Sequence, residues 1–356
     1  MKFYTVILLV TTCFLFSCSH RVNIEKHEND VNYADERGDF RIVSYNVENY
    51  FDQFDDSLTN DKDFTPDGSY HWAWNKYKDK QQKIYKVIAA VGGWELPDII
   101  GLAEVENQFV LEDLINSTPL KWRNYGIVHK ESPDRRGIDV AVLYRKEKFT
   151  LLGQAFYKIQ YPWDMKATTR DILYIKGVTR HNDTLHVFMN HWPSKYGGQT
   201  ETDRNRMFVA SFLKTVVDSI FSQNIASNVI IMGDFNEEPE NENLFGNLNV
   251  SHTFDAIQIG KLYNLGWYMK NVKNMGSLKF QGQWGLIDQF IVSGSLLMNT
   301  NSIYTSPDNA HVFNADFLSE KDETYIGVKP YRTFIGFKYN GGFSDHYPIY
   351  LDFFEK

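Results

Sequence analysis

Seven short segments rich in β-branched and aromatic residues punctuate the chain, and most of them run into a carboxylate, an amide or an imidazole. RIVSYNV (41–47), PDIIGLAEV (97–105), DVAVLYR (139–145), TLHVFMNHW (184–192), NVIIMGDFN (228–236), LIDQFIVS (286–293) and YPIYLDF (347–353) have the length and make-up of strands. Between several of them apolar residues recur at helical spacing: Ile84, Val87, Ile88 and Val91; Val110, Leu111, Leu114 and Ile115; Val209, Phe212, Leu213, Val216 and Ile220. Strands and helices that alternate to the last residue, with no repeat and no low-complexity block, predict one α/β domain over 40–356. A hydrophobic content of 43% gives that domain ample core material.

The polar strand ends are the informative part. One face of the first strand, Ile42 and Ser44, ends on Asn46; the face Ile100 and Leu102 ends on Glu104; Leu185, Val187 and Met189 end on His191. VIIM leads into Asp234 and Asn236, and Leu286-Ile287 into Asp288. Any one of these is an ordinary solvated strand end. Burying all of them near one sheet edge is costly unless a metal or a charged substrate compensates, and strand ends of α/β domains are where clefts form. Asp345 and His346 sit side by side before the last strand. Neighbours on a flat strand point to opposite faces, so the pair is expected at a loop-to-strand junction, loosened by Gly341-Gly342 and Pro348.

Composition narrows the chemistry. Both cysteines, Cys13 and Cys18, lie in the first 18 residues, so the rest of the chain has no thiol nucleophile and no Cys-ligated zinc. HExxH, G-x-S-x-G and P-loop patterns are absent. Oxygen ligands with two imidazoles favour a hard cation, Mg²⁺ with Mn²⁺ or Ca²⁺ as alternatives. Such a cation beside a carboxylate base is the equipment for attack of water on a phosphate ester.

The N-terminus has a short basic start and the apolar run FYTVILLVTTCFLF, the pattern of an export signal rather than a spanning helix. Leu15-Phe16-Ser17-Cys18 resembles a bacterial lipobox, which divides the chain into a signal at 1–17, a flexible tether at 18–39 headed by a lipidated Cys18, and the domain. At ~5–6 Å × √n the tether spans roughly 25 Å. This predicts a monomer exported and lipid-anchored to a bacterial membrane, the outer membrane, facing periplasm or exterior. Loss of Lys2 with the signal takes the formal net charge from −8 to −9, which is unhelpful for nucleic acid unless cations bridge or basic residues cluster.

YNVENYFD, AEVEN, RGIDVAVLYR, NHWPSK, MGDFNEEPE, LIDQFIVS and SDHYP stand in the order of the endonuclease/exonuclease/phosphatase superfamily, the DNase I-like phosphoesterases. YNVENYFD and NHWPSK most resemble its predicted secreted bacterial nucleases. The resemblance implies a four-layer α/β sandwich, two mixed β-sheets face to face with helices outside, and a nucleic acid or other phosphodiester substrate, the alternatives being a phosphoesterase on small phosphorylated molecules or phospholipid head groups and a surface-binding lipoprotein on a retired phosphoesterase scaffold. It implies Glu104 as the principal Mg²⁺ ligand, with Asn46 and Asp345 assisting, and Asp234 as the group that activates water. Asn236 would donate to the scissile phosphate, His346 braced by Asp288 would contact phosphoryl oxygens, and His191 would face it from the other sheet. Asp139 is either a brace for His191 or a strand-entry residue in water.

Lys195, Arg204 and Arg206 are substrate contacts or a solvated helix start. Tyr70, Trp72, Trp74 and Tyr77 are base-stacking residues or packing. Lys329, Arg332 and Lys338, interleaved with Tyr331, Phe334, Phe337 and Tyr339, suit a nucleic acid or a half-buried hairpin.

Overall fold

A computed structural model describes residues 37–195, 199–242, 246–299 and 301–356. The first half carries β1 (Phe40–Tyr50), α1 (Trp74–Gly92), β2 (Ile99–Val105), α2 (Gln108–Asn116), β3 (Tyr125–His129), β4 (Asp139–Arg145), β5 (Phe149–Tyr157), β6 (Ile172–Thr179) and β7 (Thr184–His191). Next come α3 (Gln199–Gln223), β8 (Asn228–Asp234), β9 (Val250–Ser251), β10 (Leu262–Asn264), α4 (Leu265–Asn271), β11 (Leu278–Phe280), β12 (Gln283–Gly285) and β13 (Asp288–Ser293). Seven short or terminal strands finish the chain: β14 (Ile303–Tyr304), β15 (Ala310–Val312), β16 (Ser319–Lys321), β17 (Val328–Pro330), β18 (Phe334–Ile335), β19 (Lys338–Tyr339) and β20 (Ile349–Glu355).

Two seven-stranded mixed sheets result. One runs β14-β20-β1-β2-β4-β3, with β15 also on β20; the other runs β5-β6-β7-β8-β13-β10-β9. Period-two alternation explains why they stack. Val187 and Met189 of β7, with Ile230 and Met232 of β8, enter the core shared with the first sheet. Their neighbours Phe188, Val229 and Ile231 turn outward to pack under Val209, Leu213, Val217 and Ile220 of α3. α1 packs on β1 and α2 on β3. Gly101 of β2 sets the spacing between sheets, because a Cβ there would fall 2.5 Å from the Met189 sulfur and 2.6 Å from the Met232 methyl. These are the four layers the motifs imply.

All three helical stripes lie on α1, α2 and α3, although Phe212 and Val216 are only partly buried and Val217 takes their place. The seven strand segments lie on β1, β2, β4, β7, β8, β13 and β20. β5 and β6 go unread in the sequence; β5 lies at the edge of its sheet and buries only Phe149 fully, so its apolar signal is weak. The signal, Cys18 and most of the tether fall outside the described residues. Arg37, placed in the tether by sequence, belongs instead to the domain: its guanidinium donates to Gly92 O at 2.8 Å and pairs with buried Asp98 at 3.0 Å. No helix among the described residues is long and apolar enough to cross a membrane.

One buried imidazole makes stability depend on pH. His186 of β7 is buried, its Nδ1 is 2.7 Å from the Tyr174 hydroxyl, and burial, with Lys176 assisting, lowers its pKa to about 4. The unfolded chain therefore binds a proton near pH 6.5 that the folded one refuses until about pH 4. Its stabilising effect is complete above the unfolded value and is lost as pH falls towards the folded one. With solvent screening at the ring edge the loss amounts to about 1–2 kcal/mol. Urea midpoints at neutral pH and pH ~5 should differ less in His186→Gln than in wild type; equal differences would contradict this.

Candidate active site

Three strand ends of the second sheet align the first half of the site. His191, Asp234 and Asp288 are Cα partners across β7, β8 and β13. The approach of β7 to β8 depends on Gly233, at φ +138, whose Cβ would lie 2.0 Å from Asn190 O. Asn46, Glu104 and His346 arrive from the first sheet. β1 and β2 break register at Asn46 to Tyr50 and at Ala103 to Val105, and Glu48, Asn49 and Glu104 take left-handed φ values of 53, 58 and 65°. The bulges re-aim side chains that a flat strand would alternate, at a conformational cost of about 1–3 kcal/mol each.

The centre is a chain of acids and imidazoles. Asp288 Oδ2 is 2.7 Å from His346 Nδ1 and accepts from Ser277 Oγ at 2.7 Å. His346 Nε2 lies 3.9 Å from Asp234 Oδ2, and His191 Nε2 lies 3.6 Å from that same oxygen and 3.8 Å from Glu104 Oε1. Asn46 Nδ2 donates to Asp234 Oδ2 at 3.1 Å and the Asn236 N–H donates to Oδ1 at 2.8 Å. Asp345 and His346 occupy the expected junction ahead of β20, where Ser344 Oγ donates to Asn46 O at 2.7 Å and Tyr347 N–H to Ser277 O at 2.7 Å. The Ser344 and Ser277 anchors hold the loop between the two sheets, so both side chains face the centre.

Electrostatics separate the two histidines. Burial opposes charge on His346, yet Asp288, Asp234 and Asp345 prevail and hold its pKa well above the ordinary value. Burial, with Arg170, Arg136 and His346, keeps His191 well below it. Burial also pushes Asp234 up to about 7 against the pull of His346. One imidazolium and one neutral imidazole thus flank a buried carboxyl.

Buried Asp234, Asp288 and His346 offer ligand atoms within 4.8 Å of one another and could hold a metal. The hydrogen bond inside that trio already occupies two of the three groups. Glu104 fits a hard cation better: Asn49 N–H engages its Oε2 at 3.0 Å, while Oε1 lies 3.8 Å from His191 Nε2, beyond hydrogen-bond distance. The two other expected ligands have protein partners: Asn46 Oδ1 accepts from Glu48 N–H at 3.0 Å, and Asp345 Oδ2 pairs with Arg332 at 3.1 Å.

Other candidates are redistributed. Asp139 neither braces His191 nor lies in water: it is buried, its Oδ1 accepts from Ser132 N–H at 2.8 Å and its Oδ2 lies 3.3 Å from His129 Nε2. Arg206 is no substrate contact, being fully buried and ion-paired to Glu237 and Asp203, with Pro193 O at 3.0 Å. It ties the NHWPSK and GDFNEE loops together. Lys195 pairs with Glu237 at 3.4 Å, and Arg204 lies 3.8 Å over the Trp163 ring. Arg332 reaches the centre, bridging Glu48 at 3.0 Å and Asp345 at 3.1 Å. Trp72 and Tyr77 are core, Trp72 donating to Phe51 O at 3.0 Å and Tyr77 stacking on Tyr50, whereas Trp74 is exposed. Lys338 and Phe334 belong to the β18–β19 hairpin, with Phe334 against Tyr70 and Trp72. Asn236 spends one amide N–H on Trp192 O at 3.0 Å, leaving the other for a ligand.

Sequence reasoning missed Glu48. It is buried, accepts from Thr333 N–H at 2.6 Å and holds Arg332; burial and Asp345 push it up to about 7, with Lys80 and Arg332 opposing. A lone glutamate in the apolar run of β1 was the available signal.

Two face-to-face sheets with this cluster at their common edge define a DNase I-like α/β sandwich. The chain belongs to the endonuclease/exonuclease/phosphatase family, whose model matches residues 41–356. Enzymes of this superfamily are phosphoric ester hydrolases that use divalent metals. No curated protein matches the sequence. Among solved structures, the fold is similar to humanized D. rerio TDP2 at TM-score 0.53 and 15% identity, covering 88% of this chain and 98% of that one. It is also similar to the human Nocturnin catalytic domain with bound sulfate, at TM-score 0.53 and 14% identity over 89% and 94% of the two chains. A Bacteroides thetaiotaomicron endonuclease/exonuclease/phosphatase family protein aligns at TM-score 0.53 and 16% identity over 88% and 97%.

Proposed function

We propose that the protein is a metal-dependent phosphodiesterase that hydrolyses DNA or RNA outside the cytoplasm, held at a membrane by lipidated Cys18. The observation that carries the chemistry is the register of His191, Asp234 and Asp288 across three strands, faced by His346, Asn46 and Glu104 from the other sheet. Support for nucleic acid comes from a neighbour of the same fold, a D. rerio TDP2 complexed with single-strand DNA product. Export and anchoring rest on the N-terminal sequence alone.

Glu104, Asn46 and Asp345 would hold the cation, Mg²⁺ by its preference for oxygen, which when bound offsets charge on the phosphate. Asp234, fixed through both oxygens by Asn46 and Asn236, takes a proton from water as the water oxygen bonds to phosphorus. The opposite P–O bond breaks, its electron pair leaves on the alcohol oxygen, and solvent protonates that oxygen. His346, oriented through Nδ1 by Asp288, presents Nε2 to the non-bridging oxygens. His191 donates from the other side, and the free Asn236 amide N–H adds a third donor.

A substrate panel tests this reading. With Mg²⁺, the protein should cleave single-stranded or duplex DNA, or RNA, faster than a phosphomonoester or a phospholipid. Cleavage confined to the monoester or the lipid would reject the nuclease assignment.

A further inference from the structure

We infer that the end of the domain where the chain enters at Arg37 docks on an anionic lipid surface and turns the cleft away from it; the inference rests on the lipid-anchor reading of Cys18. Three turns meet the entering chain there. Arg37 donates to Gly92 O at 2.8 Å and Leu96 O at 3.2 Å, and Arg145 pairs with Glu95 at 2.6 Å. The Tyr125 hydroxyl donates to Pro97 O, and Lys146 N–H donates to Asn124 O at 3.3 Å. The turns after α1, before β3 and between β4 and β5 therefore form one surface at the foot of the tether.

Two indoles stand on it. Trp94 is 85% and Trp122 76% exposed, whereas Trp72 and Trp192 are buried. Single exposed apolar side chains are ordinary; here two indoles lie among unpaired cations, the pairing found at lipid–water boundaries. Arg37, Lys121, Arg123, Arg145, Lys146 and Lys148 face three acids, Glu95, Asp98 and Glu147, in a chain of formal net charge −8. All three acids are committed to Arg37, Arg145 or Lys148. Lys121, Arg123 and Lys146 are exposed with no acidic partner among the described residues, and Lys121 Nζ lies 5.0 Å from the centre of the Trp122 ring. Such a patch binds lipid weakly alone, but stable attachment takes an acyl chain plus a basic patch. A tether spanning roughly 25 Å from Cys18 holds this one close over the bilayer.

Docking here has a consequence for the substrate. β1 runs from Phe40 on this face to Asn46 in the cleft, and β2 from Ile99 to Glu104, so face and cleft are about 20 Å apart along the strands. The cleft then opens to water, out of reach of head groups in the same bilayer and open to a soluble polymer. The rival for lipid is the β11–β12 hairpin, which bridges to His346 and exposes Phe280, but its cation Lys279 is paired to Asp322 at 2.9 Å.

The test uses the full chain, purified from bacterial membranes and reconstituted in vesicles of phosphatidylethanolamine and phosphatidylglycerol. Acylation blocks Cys18 and Cys13 leaves with the signal, so one introduced cysteine takes a fluorophore. A label at Pro119→Cys, one 3₁₀ turn from Trp122, should be quenched several-fold more by nitroxide lipids than one at Gln283→Cys on β12. Trp94→Ala/Trp122→Ala should remove most of that difference, and Lys121→Gln/Arg123→Gln/Lys146→Gln should weaken docking about fivefold per charge. Both should leave cleavage of a soluble diester unchanged. Stronger quenching at 283 would put the cleft on lipid, and quenching at neither position would give the face to another occupant, the tether's own acids Glu25, Glu28 and Asp30 first; either result overturns the inference. Mass spectrometry reads acylation separately. An unmodified Cys18 would sink the anchor reading, and the same labels on a Cys13→Ser/Cys18→Ser background would still decide the face.

Discussion

Replacing Asp234 with asparagine is expected to lower kcat by roughly 10³–10⁴-fold while moving KM by no more than about threefold. The change removes the proton acceptor and keeps the volume of the side chain. It also has a predictable structural cost. Both oxygens of Asp234 accept, one from Asn46 Nδ2 and one from the Asn236 N–H, and an amide can satisfy only one of those donors. The variant should therefore lose about 1–2 kcal/mol of stability, readable in a urea melt and far too little to empty the folded state. Steady-state kinetics on a chromogenic diester separates the outcomes. Turnover near wild type would remove Asp234 from the mechanism, whereas a raised KM with intact kcat would make it a binding group.

Chelation should have an effect as large. In EDTA activity is expected to vanish, and Mg²⁺ or Mn²⁺ should restore it. Glu104→Gln should raise the Mg²⁺ concentration for half-maximal activity by about 10–100-fold or more. The expectation follows from a carboxylate held in left-handed backbone at a bulge, one oxygen tied to Asn49 N–H and the other facing the cleft. The alternative metal group, Asp234 with Asp288 and His346, predicts a different pattern: Asp288→Asn would then weaken the metal as much as Glu104→Gln. With Asp288 as an orienting residue for His346, that variant instead lowers kcat at saturating Mg²⁺ and leaves the metal requirement unchanged.

Much of this centre was legible because strand periodicity carries information a short distance. Leu185, Val187 and Met189 fix the face on which His191 emerges, and VIIM does the same for Asp234. The junction at Asp345 and His346 was legible for the same reason, since a flat strand could not aim both inward. Periodicity fails where the backbone leaves the strand region. The face of Ile100 and Leu102 still pointed to Glu104, but the left-handed turn at Glu48 and Asn49 is invisible to it, and Glu48 went unrecognised although its N–H donates to Asn46 Oδ1. Side chains that join distant segments are equally hidden. Arg332 meets Glu48 across 284 residues, and Arg206 looked like a surface cation until its pairing with Glu237 showed it buried. Asp139 took neither expected role, because a residue remote from both readings in the sequence, His129, meets its buried carboxylate.

The central claim is that Asp234, with a divalent cation nearby, drives water onto a phosphodiester. It is tested most directly by following one chromogenic diester with wild-type protein and the Asp234→Asn variant, each in Mg²⁺ and in chelator. The account predicts substantial hydrolysis only for wild type in Mg²⁺. Comparable rates for the variant in Mg²⁺, or for wild type in chelator, would contradict it.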